Sequence, residues 1–264
     1  MKRIFIIALS FLGCCAVLTA QNYNKKEVKS LQEFLNQTSS KEKPNYALFK
    51  RTNINDPSTW EGVTWENGHV TVIDWRGRGL AGALSVDNFS QLQRVDVTTN
   101  QLTSFSAAKC SALVSIEVGK NKLSSLDLTG CTALRTLNCF KNRLTDIDLS
   151  SSMGIVSLNC ADNLFVELSV AHADSLTSLN VQGCHLEWLS VDSCSRLKNL
   201  YCGYNRITEL HLIDVPALET LNMDNNDIAQ FYVSGQSNLY YFSCSGNNMS
   251  VLKMTNCESL STFD

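Results

Sequence analysis

From Leu92 onward a large aliphatic residue returns every 21 positions: Leu92, Leu113, Leu134, Ile155, Leu176, Leu197, Leu218, Leu239 and Leu260. The positions between these anchors keep their character too. Leu134 to Leu149 reads L-x-x-L-x-C-x-x-N-x-L-x-x-I-x-L, and its neighbours follow the same template. Eight complete units run from Leu92 to Ser259, preceded by an offset unit from Val70 to Gln91 that is one residue longer. Within a unit, positions 4 and 6 are apolar and alternate with polar positions, the period-two pattern of a strand with one buried face. Stacked units pair these strands in parallel, about 4.8 Å apart. A second apolar stretch, such as Leu123 to Leu128, returns along the opposite side and closes a core that no single unit could bury alone. The pattern predicts a right-handed parallel β coil with a concave parallel sheet, and with short second strands or turns on the convex side.

Two further columns carry physical meaning. Position 9 is Asn100, Asn121, Asn142, Asn163, Cys184, Asn205, Asn226 and Asn247. After each strand the chain turns inward and leaves backbone groups that a buried carboxamide, with two donors and one acceptor, can satisfy coil after coil. Cys184 is the exception and cannot replace all of those bonds. The cysteines also fall into register. Cys139, Cys160, Cys202 and Cys244 sit at position 6, while Cys110, Cys131, Cys194 and Cys257 sit at position 19. In-register neighbours lie near 4.8 Å, whereas disulfide Cβ atoms prefer about 3.8 Å. All nine cysteines after residue 20 are therefore expected to be reduced and to act as small core hydrophobes.

Units of 21 residues with cysteine alternating among leucine and valine resemble the cysteine-ladder subclass of the internalin-like bacterial leucine-rich repeat proteins. The resemblance covers Val70 to Asp264 and implies a leucine-rich repeat solenoid that is surface-exposed or secreted and binds host or cell-surface macromolecules. Two departures stand out: no immunoglobulin-like module and no wall-sorting motif follow the repeats.

The flank before the repeats has its own signals. Lys2 and Arg3, an apolar run from Ile4 to Leu18, and Leu18-Thr19-Ala20 before Gln21 make residues 1–20 an expected signal peptide. The run holds fewer than the roughly 20 residues that span a bilayer. Cys14 after Leu12-Gly13 offers a lipoprotein alternative, which Phe11 fits poorly. Residues 21–69 are expected to form an N-terminal capping segment ahead of the solenoid at 70–264. Asn24 and Glu27 match a capping box, and Val28, Leu31, Phe34 and Leu35 give an apolar stripe at helical spacing, so the cap should be helical. Asn67-Gly68 then marks a hairpin turn. Trp60, Trp65 and Trp75 are read as cap core before an exposed aromatic patch.

Charge and chemistry change little in this picture. Removing the leader moves the formal charge from -3 to -5, with no basic block, so neither nucleic acid nor an anionic membrane is expected as a partner. No catalytic motif is present, the four histidines (69, 172, 185 and 211) lack ligand spacing, and no cofactor or metal is expected. Arg76-Gly-Arg78-Gly79 sits at a repeat turn and lacks the helix of a phosphate loop. Asp146 and Asp148 are read as solvated before they are read as Ca²⁺ ligands. An enzyme is therefore not expected.

What varies between units is the concave face, at positions 3, 5, 7 and 8. Position 5 passes from Asp96 and Glu117 through Asn138, Asn159 and Asn180 to Tyr201 and Asn222. Phe140, Tyr201, Tyr204, Tyr240 and Tyr241 fall on this face or its edge, and tyrosine is enriched where interfaces concentrate their energy. These five aromatics, with Asn180 and Asn222, are the candidate ligand-binding residues, for a protein or glycan on another cell surface. The competing reading is that the aromatics stack on one another to steady the strands. A separate alternative is structural. The sequence stops at Asp264, part-way through a ninth unit, and the last strand is expected either to pair with a partner, including a second copy, or to continue into a longer protein.

Overall fold

The computed structural model describes residues 22–264, so the signal-peptide reading of residues 1–20 and the Cys14 alternative lie outside the described residues. Helix α1 (Lys25–Leu35) begins at Asn24, whose side chain accepts hydrogen bonds from the backbone N–H groups of Lys26 and Glu27. Its apolar stripe buries Leu31, Phe34 and Leu35 and leaves Val28 half-buried. The capping box is only half formed. Glu27 does not turn back on Asn24; its carboxylate reaches His69 Nδ1 at 2.9 Å and accepts from Val70 N at 2.8 Å. The helix is thereby tied to the first turn of the sheet.

Strand β1 (Val63–Glu66) pairs antiparallel with β2 (His69–Asp74). Asn67 and Gly68 connect them with φ of 51° and 82°, the left-handed pair that a two-residue hairpin turn demands. Trp75 is buried against Phe34, ring centroids 5.7 Å apart, and its indole N–H donates to Glu61 O at 2.8 Å. Trp60 is buried as well, so these two tryptophans are core.

From β2 onward ten strands run parallel, one per coil, and with β1 they form an 11-stranded sheet that ends at Thr262–Phe263. Register is held at the 21-residue period: Leu137 pairs with Leu158, Leu158 with Leu179, and Leu179 with Leu200. The return side is less regular. Its strands form three short parallel groups (81–127, 167–190 and 230–255), and the coils carrying Ile147 and Leu210 have none there. Between the two sides the aliphatic anchors are fully buried from Leu92 to Leu239. Burying a leucine or isoleucine contributes about 1.5–3 kcal/mol, so stacked coils supply a core that an isolated unit lacks.

The asparagine column closes each turn. Asn142 Nδ2 donates to Val118 O of the preceding coil at 3.1 Å and to Cys139 O at 2.9 Å, while its Oδ1 accepts from Leu123 N at 2.9 Å. The same set recurs at Asn121, Asn163 and Asn226. In the Cys184 coil the thiol replaces one bond, donating to Cys160 O at 3.1 Å. The Arg76–Leu80 turn belongs to the same device. Asn100 Oδ1 accepts from the backbone of Arg78, Gly79 and Leu80, so the Gly-rich stretch builds a turn.

Candidate binding surface

The outward side chains of the main sheet form bands along the solenoid. At the N-terminal end Asp74, Asp96 and Glu117 lie side by side on paired strands. Arg76 donates to both carboxylate oxygens of Asp74 at 2.9 and 2.8 Å, which holds that carboxyl below its usual range. Arg76 and Arg94 also approach Asp96 at 3.4 and 3.5 Å. Glu117 moves the other way: partial burial raises its pKa, against a hydrogen bond from Asn138 that lowers it. A carboxyl whose folded pKa is raised favours folding while protonated and loses that contribution as pH rises through the folded value. Glu117→Gln is accordingly expected to raise the urea midpoint at pH 7 and to leave it nearly unchanged below pH ~4, where both side chains are neutral.

The middle band is a run of carboxamides. Asn159 and Asn180 hold their Oδ1 atoms on the backbone N–H two residues ahead, at 3.2 and 3.1 Å. Their Nδ2 groups have no partner among the described residues. Asn222 differs. Its Nδ2 donates to Asp224 Oδ2 at 2.7 Å, so its amide is engaged within the fold.

The aromatic positions do not form one cluster. Tyr201 and Tyr241 stand on strands separated by Thr220–Asn222, and both are half-buried. Tyr204 is 64% exposed on the turn after its strand, and Tyr240 is 48% exposed on the side where the next strand begins. Thr220 Oγ1 lies 3.4 Å from the Tyr240 hydroxyl. Among the described residues no ring contact joins any two of these four tyrosines. Phe140 lies far from them along the sheet, against Gly119 and beneath the Lys120 ammonium, 5.5 Å from the ring centroid. Sequence reasoning overlooked Trp188, which is 49% exposed on the return side next to Val166. It lies at an outward strand position filled by Ser125 and Glu167 in other coils, and that contrast was the available signal.

Inside the sheet the cysteines line up. Cys139 and Cys160 occupy equivalent positions of neighbouring coils with Sγ atoms 3.4 Å apart. At position 19, Cys110, Cys131 and Cys194 each donate to a carbonyl of the preceding coil at 3.0–3.2 Å. All nine described cysteines are free thiols. The functional domain of InlJ from Listeria monocytogenes, whose structure includes a cysteine ladder, superimposes with a TM-score of 0.56 at 32% identity over 62% of this chain. The chain has the leucine-rich repeat fold, with aligned cysteines similar to the cysteine ladder of the InlJ structure. YopM from Yersinia enterocolitica matches 66% of this leucine-rich repeat chain at 22% identity and TM-score 0.58. An internalin, InlF of Listeria monocytogenes, matches 75% at 18% identity and TM-score 0.51, and each of these two likenesses shows the fold. The leucine-rich repeat chain spans 39% of the InlJ chain, 37% of YopM and 58% of InlF. No family model matches it. No helix among the described residues is long and apolar enough to cross a membrane.

Proposed function

We propose that this leucine-rich repeat protein is an exported, non-enzymatic binding module that captures a protein on another cell through the outward face of its main sheet. The observation that carries the reading is the tyrosine set at the C-terminal half of that face. Tyr201, Tyr204, Tyr240 and Tyr241 project from a rigid hydrogen-bonded scaffold, and no ring contact among the described residues occupies them. Tyrosine supplies large contact area at small entropic cost, and fixed strands reduce the ordering penalty of association. The free Nδ2 donors of Asn159 and Asn180 extend the surface with polar specificity. Eight units at about 4.8 Å span roughly 38 Å, enough for a standard-sized protein interface.

Fluorescently labelled protein is expected to bind a responsive cell type saturably, and Tyr201→Ala/Tyr241→Ala is expected to weaken that binding by about tenfold or more, as loss of two anchors does, with an unchanged urea midpoint. Protease pretreatment of the cells should remove the binding. Loss on glycosidase treatment alone would make the partner a glycan, and undiminished binding by the double variant would move the site elsewhere.

A further inference from the structure

The 21-residue period gathers cations that are scattered along the sequence. Lys120 and Lys141 occupy position 8 of adjacent coils, and Lys122 and Arg143 occupy position 10. Backbone hydrogen bonds from Lys120 N to Phe140 O at 2.7 Å and from Asn121 N to Lys141 O at 3.2 Å lock the two coils in register. Four exposed cations therefore share one rim of the main sheet.

These charges are largely unpaired. Among the described residues only Lys141 has an ion pair within this row, with Asp162 at 3.7 Å, and both side chains are more than half exposed. Arg76 and Arg94, by contrast, are matched by Asp74 and Asp96 on the sheet itself. Lys120 and Lys141 sit at φ of 53° and 52°, in the turn where other coils place Thr99, Asp162, Gly183, Tyr204, Asn225 and Gly246, so the turn itself does not require lysine.

A row of exposed cations, two per coil, attracts a ligand that carries repeated negative charge. The nature of the ligand follows from Phe140. Phe140 lies beside these cations, with Gly119 against the ring and Lys120 over it. A sugar ring would find no open aromatic platform. Carboxylates spaced along an extended polypeptide would meet long, flexible, singly charged arms that adjust to their spacing. We propose that the rim formed by Lys120, Lys122, Lys141 and Arg143 binds an acidic stretch of a partner polypeptide. The rim is separate from the tyrosines and stands whether or not they bind a partner.

The test uses a fluorescein-labelled poly-glutamate peptide as probe, read by fluorescence anisotropy at about 50 mM and about 300 mM salt, a range over which screening shortens the reach of exposed charges. The wild-type protein is expected to bind it, more weakly at the higher salt. Lys122→Glu/Arg143→Glu is expected to raise Kd by about tenfold or more through lost attraction and new repulsion. Both side chains are exposed and neither makes a hydrogen bond among the described residues, so the urea midpoint should not move. Tyr201→Ala/Tyr241→Ala should leave this affinity unchanged, which keeps the rim distinguishable from the tyrosine surface. Failure of the wild-type protein to bind poly-glutamate, or equal affinity in the charge-reversed variant, would overturn the proposal. Tighter binding of the anionic polysaccharide hyaluronate than of poly-glutamate would overturn the class of partner.

Discussion

Asn205→Ala is expected to cost about 3–5 kcal/mol of folding stability, and more than the same change at Asn226, because it strips several buried backbone groups of their partners. Asn205 Nδ2 donates to Val181 O and Cys202 O, each at 2.9 Å, and its Oδ1 accepts from Leu186 N at 2.9 Å. Those are the bonds every ladder asparagine makes. Asn205 has an additional one: Oδ1 also accepts from Cys184 N at 2.9 Å. At Asn100, Asn121, Asn142 and Asn205 the backbone N–H at position 9 goes to a carbonyl of the next coil, as Asn121 N does to Lys141 O. The coil that lost its asparagine at 184 thus relies on its neighbour's carboxamide for two amides, where Asn226 covers only Ile207 N. Water cannot reach these groups, so each one left unpaired costs about 1–3 kcal/mol. Urea denaturation of the two variants beside the wild-type protein measures the difference. Equal midpoints for Asn205→Ala and Asn226→Ala would mean that Cys184 N finds another acceptor, and wild-type stability in both would remove the ladder from the account of what holds the coils together.

The repeat was legible because its evidence is redundant. Nine aliphatic anchors, seven asparagines and eight cysteines all obey one period, and a single register explains all of them. The same holds for the hairpin, where Asn67-Gly68 has few other uses between two β-favouring stretches. Side chains whose partners lie far away in sequence were not legible. Glu27 fits a local capping box as well as any glutamate, and nothing near it says that its carboxylate will hold His69 and Val70. Asn222 reads like Asn180 in the position-5 column, yet Asp224 two residues later takes its donor. The basic rim is intermediate. No run of lysines or arginines marks it, and the chain is mildly acidic as a whole, yet Lys120, Lys122, Lys141 and Arg143 repeat at the very period that fixes the fold. Reading charge by column would have found it, whereas reading charge by block could not. The aromatic positions were legible as outward-facing, but their separation across the sheet depends on which strands intervene and on Tyr204 and Tyr240 lying beyond the two ends of their strands.

The last expectation concerns the thiols. Native protein exposed to iodoacetamide at pH 8 should be alkylated at Cys257 first and Cys244 next, with the remaining seven cysteines protected until the coils open. Burial pushes Cys110, Cys184 and Cys202 up to about 12 and Cys131 up to about 11, because a thiolate between coils would lose its hydration without gaining a cation. For Cys160 the neighbouring Cys139 thiol and burial act in the same direction. At pH 8 a thiol with a pKa near 12 is ionised in only about one molecule in 10⁴, and the reagent must still reach it through a packed core. Cys244 is raised by burial too, but it and Cys257 lie toward the last coils and are only half-buried. Mass spectrometry of the alkylated peptides reads the order directly. If protection is lost together across all seven buried sites as urea is added, the coils open as one cooperative unit. If Cys202 becomes reactive before Cys110, the solenoid unzips from its C-terminal end, as nearest-neighbour stacking allows. Rapid native labelling of Cys139 or Cys160 would contradict the packing described for the ladder, since both thiols sit between paired strands with no exposed surface.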